Sequence, residues 1–106
     1  MAKVGKTRFK VGQVIRHKLY DYRGVIVDID PKFSGTDIWY RRQARTHPPR
    51  NAPWYHVLVD GSDDMTYVAE RNLEADESGA PVLNPLVADL FGELVDGAYL
   101  RHAAVN

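Results

Sequence analysis

The rhythm of apolar and polar positions changes along this chain, and each change predicts an element. From Phe9 to His17 a β-forming run, with Gly12 suited to a positive-φ turn, predicts a first short strand. An aromatic, irregular stretch from Leu19 to Gly24 predicts a loop. Val25–Asp30 alternates strictly, which predicts a strand with Val25, Val27 and Ile29 on the core side and Ile26, Asp28 and Asp30 on the other. Pro31 ends it, having no amide for the ladder. Trp54–Val59 predicts a third strand, with Tyr55, Val57 and Val59 inward and His56 outward. Asp60-Gly61 opens a turn, and Met65–Ala69 returns as a fourth strand. Glu70–Leu73 reads as one turn leading to a short closing strand at Leu73–Glu74.

Two segments break this pattern. Residues 31–53 form an insert: Ser34-Gly35-Thr36-Asp37 matches a helix-capping pattern and about two helical turns can follow, before Pro48, Pro49 and Pro53 force extended chain. Residues 75–84 read as a linker rich in Ala, Asp, Gly and Pro. Beyond it Asn84 and Pro85 suit a helix start, and Leu86, Val87, Leu90, Phe91, Leu94 and Val95 share one side at helical spacing. With Gly97 as terminator, the spacing predicts an amphipathic helix over 85–97. Residues 1–8 read as a flexible basic N-terminus. The expected fold is mainly β: a small SH3-like barrel of about five antiparallel strands over 9–74, with a helical insert and a C-terminal helix.

Composition narrows the function more than the fold. The chain has 106 residues, 26% of them charged, and no cysteine, which excludes disulfides and thiolate chemistry. No apolar run is long enough for a membrane helix, and the start lacks a secretory leader, so a cytoplasmic protein is expected. Net charge is zero, yet seven Lys or Arg against one acid occupy residues 1–23, while ten acids against two Arg follow Val59. Such a gradient points to oriented contact with a partner.

The order of motifs resembles a known family. Val-Gly-Gln-Val-Ile-Arg-His (residues 11–17), Tyr-Arg-Gly-Val-Ile-Val-Asp-Ile-Asp-Pro (22–31), Pro-Trp-Tyr-His-Val-Leu-Val-Asp (53–60) and Thr-Tyr-Val-Ala-Glu-Arg-Asn-Leu (66–73) together look like the heat-shock protein HspQ, or YccV-like, family, also called hemimethylated-DNA-binding proteins. The resemblance covers roughly residues 9–74. It implies an SH3-like barrel and a non-enzymatic heat-shock role as adaptor or allosteric modulator of ATP-dependent, Lon-type proteolysis. It also implies, as the alternative, a module that binds hemimethylated DNA, and it implies self-association as a homotrimer.

The residues that could serve either role are the same. Lys6, Arg8, Lys10, Arg16, Lys18 and Arg23, with Arg41, Arg42 and Arg45 in the insert, could neutralise phosphates or meet a protease or its client. Tyr20 and Tyr22 lie among them, with Trp39 and Tyr40 nearby, as base stacking requires. The apolar face of the C-terminal segment must be covered by the barrel, a second subunit or a protein partner; Leu86, Leu90, Phe91 and Leu94 are the candidate oligomer contacts. No catalytic, cofactor or metal site is expected. Asp60-Gly61-Ser62-Asp63-Asp64 lacks the glycine and glutamate of a calcium loop, His56 has no partner at zinc spacing, and no nucleophile–base pair appears.

Overall fold

The computed structural model describes residues 6–102, so most of the N-terminal segment expected to be flexible, residues 1–5, lies outside it. Five strands, β1 (Val14–His17), β2 (Arg23–Asp30), β3 (Trp54–Val59), β4 (Met65–Ala69) and β5 (Leu73–Ala75), form one antiparallel sheet in the order β4-β3-β2-β1-β5. The mainly β expectation is met. No helix of the described residues is long and apolar enough to cross a membrane.

The two edge strands, β4 and β5, are separated in sequence only by the 3-10 turn Glu70–Asn72. In a flat sheet four strand spacings would put them about 19 Å apart, whereas the four residue steps from Ala69 to Leu73 reach at most about 13 Å. The sheet therefore curls. Among the described residues no ladder joins β4 to β5. Inside the curl lie Ile15, Ile26, Tyr55, Val57, Val68 and Leu73, closed off by Phe9.

The outer face is not left to solvent. Val14, Val25 and Leu58 are covered by Val82, Val87, Phe91 and Tyr99 from the C-terminal segment. Trp54 and Ala69 are covered by the insert, through Phe33, Trp39 and Tyr40. Both faces of β2 are thus apolar, and its expected alternation is corrected. The register shifts between Ile26 and Asp28 opposite β3, a bulge at Val27. Strict alternation would have buried Asp28 and Asp30 beside Ile26. The extra residue sends both carboxylates outward and lets Ile29 pack with Ile26 against the inner core.

In the insert, α1 (Asp37–Gln43) is capped by Thr36, whose hydroxyl accepts from the Trp39 amide at 3.0 Å. The cap is therefore Thr36 and not Ser34. The indole of the buried Trp54 donates to the Pro49 carbonyl at 3.1 Å, and the Tyr40 hydroxyl donates to the Pro48 carbonyl at 2.6 Å, so the proline run is tied down.

The helix expected over 85–97 is corrected as well. Only α2 (Val87–Leu90) is helical; β6 (Phe91–Val95) and β7 (Ala98–Arg101) form a hairpin. Asp96 and Gly97 both adopt positive φ, 49° and 79°. That pair is what a two-residue hairpin turn of the type I′ kind demands, and Gly92 weakens a helix by about 1 kcal/mol. The hairpin docks on the chain entering β1: the Tyr99 amide donates to the Gly12 carbonyl and the Val14 amide to the Gly97 carbonyl, at 2.6 and 2.9 Å. Gly12 has φ +92°, and a Cβ there would lie 2.3 Å from the Tyr99 carbonyl oxygen. The segment 75–84 is mostly exposed but anchored: Val82 is buried, and the Asn84 side chain donates to the Val59 and Asp64 carbonyls.

This arrangement splits residues that a helix would have made equivalent. Phe91 is 4% exposed, whereas Leu86 and Leu90 are 44% and 46% exposed. In urea unfolding, Phe91→Ala is expected to cost about 3–5 kcal/mol, and Leu86→Ala and Leu90→Ala each less than about 1 kcal/mol.

Candidate nucleic-acid interface

β1 ends in His17, and the chain folds back over that side chain. The His17 amide donates to the Tyr22 carbonyl and the Asp21 amide to the His17 carbonyl, with Asp21 at φ 57°. The imidazole Nδ1 accepts from the amides of Leu19 and Tyr20, at 3.1 and 3.2 Å. An Nδ1 that accepts twice carries no proton, and burial holds the His17 pKa below its ordinary value of 6.5. The ring lies against Tyr20 and Tyr22, with centroids 4.7 and 5.2 Å away. His17 thus shapes the loop that presents both tyrosines.

Tyr22 reaches across to the edge strand, its hydroxyl 2.7 Å from that of Thr66 in β4. Beside this contact a cleft of about 200 Å³ opens along β4. Tyr20 and Tyr22 line it from the loop, Trp39, Gln43, Arg45 and Thr46 from the insert, and Thr66, Tyr67 and Asn72 from β4 and the turn after it. No carboxylate is among the lining residues. A more voluminous hollow beside Val82–Gly92 is a shallower, open saddle without aromatic rings other than Phe91.

Cations gather around the turn Glu70–Asn72. The Lys18 amide donates to the Asn72 carbonyl, the Arg8 amide to a Glu70 carboxylate oxygen at 2.9 Å, and the Arg71 guanidinium to the Thr46 carbonyl at 2.5 Å. With Arg45 in the cleft lining and Arg71 bonded to the cleft residue Thr46, two guanidinium groups stand at its rim, while the Arg8 guanidinium lies over the Phe9 ring. Of the expected set, Tyr20, Tyr22 and Arg45 line the cleft; Lys18 adjoins it in sequence and is tied by its backbone to Asn72, and Arg8 does not line it. Lys6 and Lys10 are exposed on the chain leading into the sheet, and Arg41 and Arg42 on α1; none of them lines the cleft. Arg16 is paired with Asp21 at 2.6 Å.

Arg23 has a different use. Its guanidinium donates to Asp60 at 2.9 Å and to Asp76 at 3.2 Å, and also to the Ala80 and Pro81 carbonyls. Burial pushes the Asp76 carboxyl up, but hydrogen bonds from Arg23 and Ser78 outweigh it and hold the pKa below the ordinary carboxylate value. Arg23 ties the 75–84 segment to the sheet and is not free to meet a partner. Of the candidate oligomer contacts, Phe91 is spent on the chain's own core, Leu94 is half-buried, and Leu86 and Leu90 are exposed.

His56 faces outward as expected. It pairs across the ladder with Asp28 and Tyr67. Its Nε2 lies 3.2 Å from an Asp30 oxygen that also accepts from the Tyr67 hydroxyl at 2.6 Å. Burial and the bond to Asp30 both raise the Tyr67 pKa. Ligand atoms of Asp28, Asp30 and His56 lie within 4.8 Å of one another, a spacing one divalent cation could bridge.

Residues 7–98 match the family described as YccV-like, hemimethylated DNA-binding protein YccV like. The chain belongs to that family. YccV-like proteins are non-catalytic, in accord with the lack of an expected reaction centre. The match takes in the insert and runs past Leu73 as far as Ala98, so the insert and the C-terminal segment up to the start of β7 lie within the YccV-like region. Gln43 and Asn72 were not legible as site residues, because only the tertiary fold brings them to Tyr20.

Two outcomes follow for stability. Because folding lowers the His17 pKa, its contribution is complete above the unfolded value of about 6.5 and is lost as pH falls below it. Urea unfolding from about pH 7.5 to about pH 5 should show this loss, and His17→Asn, which keeps an acceptor near Nδ1, should flatten it. Arg23→Ala leaves Asp76, whose side chain is 4% exposed, without its guanidinium partner. That substitution is expected to cost about 3–5 kcal/mol in the same assay, the signature of a structural ion pair.

Proposed function

We propose that this YccV-like chain is a DNA-binding module that distinguishes hemimethylated duplex from its unmethylated and fully methylated forms. The observation that carries the reading is the make-up of the cleft: Tyr20, Tyr22 and Trp39 with Arg45 and no carboxylate. Aromatic rings offer stacking and apolar contact to a base, and the neighbouring cations offer phosphate contacts. Zero net charge is no obstacle, since the charge that counts lies within a Debye length of the contact. The acids nearest the cleft are engaged, Asp21 by Arg16, Asp30 by Tyr67 and His56, and Glu70 by Tyr55 and the Arg8 amide. This reading takes the curled sheet as an SH3-like barrel, supported by the short link between its edge strands.

A second reading, an adaptor or allosteric modulator of ATP-dependent, Lon-type proteolysis, draws on a different surface. Leu83, Leu86, Leu90 and Leu100 are 71%, 44%, 46% and 52% exposed. Side chains of that kind suit contact with a protein, whether a protease, its client or further copies in a homotrimer. Replacing Leu83 and Leu86 by Ser would lower stimulation of proteolysis on this reading and leave DNA affinity unchanged.

Fluorescence anisotropy with the three duplexes at two salt concentrations tests the first reading. Hemimethylated duplex should bind tightest, and affinity should fall with salt along a log–log slope of about −3, as expected for three or four phosphate contacts. Lys18→Ala and Arg45→Ala should each make that slope shallower by about 1. Equal affinities for all three duplexes would reduce the interaction to phosphate attraction, and no binding at low salt would overturn the reading.

A further inference from the structure

A protein that tells methylated from unmethylated base must reach the edge that bears the methyl group, and in an intact duplex that usually takes a helix or a two-stranded ribbon in the major groove. Neither is offered here. The seven-residue α1 packs Trp39 and Tyr40 inward against Trp54. The β6–β7 ribbon carries Glu93 and Asp96 on its exposed side, which phosphates would repel, and its turn is held against the start of β1 through the Val14–Gly97 hydrogen bond. The aromatic groups are instead recessed in a cleft.

Resting on the DNA-binding reading, we infer that this cleft receives one base swung out of the duplex, a purine bearing a methylated amino group. A volume of about 200 Å³ is of the size that accommodates a single planar ring system. Rings line it from several segments, Tyr20 and Tyr22 from the loop, Trp39 from the insert and Tyr67 from β4 among them, so a base can stack and its methyl group can lie on apolar surface. The polar groups match an adenine edge. Asn72 donates its Nδ2 to the Thr46 hydroxyl at 3.3 Å, which leaves Oδ1 as an acceptor for the one N–H that a methylated amino group keeps. Gln43 adds a second amide, the side-chain type that pairs with adenine through one donor and one acceptor. The lining holds Arg45 and no carboxylate, and the Asp30 behind Tyr67 is engaged by its hydroxyl and by His56, which disfavours the other ligand aromatic clusters take, a methylated ammonium. Arg45 in the lining and Arg71, bonded to the Thr46 carbonyl, are placed to hold the phosphates flanking an extruded nucleotide.

Weakening the target pair makes extrusion easier, so the test compares matched hemimethylated duplex with one carrying a mismatch opposite the methylated adenine. Anisotropy should show about tenfold tighter binding to the mismatched duplex. Tyr20 is 62% exposed, so Tyr20→Ala should fold normally. It should weaken binding of both duplexes about tenfold with the salt slope unchanged, while Tyr20→Phe keeps the affinity. Equal affinity for matched and mismatched duplexes, or a Tyr20→Ala variant that binds like wild type, would mean that the base stays in the helix; the inference falls and the DNA-binding reading survives. Failure to bind any duplex at low salt removes the reading itself.

Discussion

The short link Glu70–Asn72 between opposite edges of the sheet is the constraint on which the rest depends. It obliges five strands to curl, and the curl creates an interior for Ile15, Ile26, Tyr55, Val57 and Leu73, all fully buried. The same curl brings β4 toward the loop after β1 without a ladder between the edges. What fills that seam is side chain: the Tyr22–Thr66 contact, then the aromatic cleft beside it. Fold and candidate site are thus two consequences of one piece of chain geometry.

A sheet this small cannot stabilise itself through one face alone, since a short chain buries little surface. The outer face is covered from both ends of the sequence's irregular regions. The insert lays Phe33, Trp39 and Tyr40 over Trp54, and the C-terminal hairpin lays Phe91 and Tyr99 over Val14, Val25 and Leu58. Between the two covers runs the polar row Asp28, His56 and Tyr67, which the bulge at Val27 makes possible. Arg23 fastens the second cover by its pairs with Asp60 and Asp76. The basic N-terminal half and the acidic C-terminal half are therefore partly consumed in binding one another, Arg23 with Asp60 and Asp76 above all.

Much of this was legible in residue order. The β-branched runs and the Asp60-Gly61 turn located the five strands, and His56 was correctly placed outward. The bulge was not legible, because alternation of Val25 to Asp30 is equally regular with or without an extra residue opposite β3. The C-terminal hairpin was misread as a helix for a comparable reason. Asp96-Gly97 serves as a helix terminator or as a hairpin turn with the same two residues, and Phe91, Leu94 and Val95 fit either period. Arg23 looked like one cation among many until tertiary structure surrounded it with carboxylates. The cleft itself joins residues as far apart as Tyr20, Gln43 and Asn72, which no local pattern connects.

The most direct measurement of the central claim is a map of amide and indole NMR shifts as hemimethylated duplex is added to the intact chain. The account predicts shifts at Lys18–Tyr22, the Trp39 indole, Gln43–Thr46 and Asn72, with Leu83, Leu86 and Leu90 unmoved. Perturbations centred on those leucines, or a cleft that stays silent while DNA is bound, would contradict it.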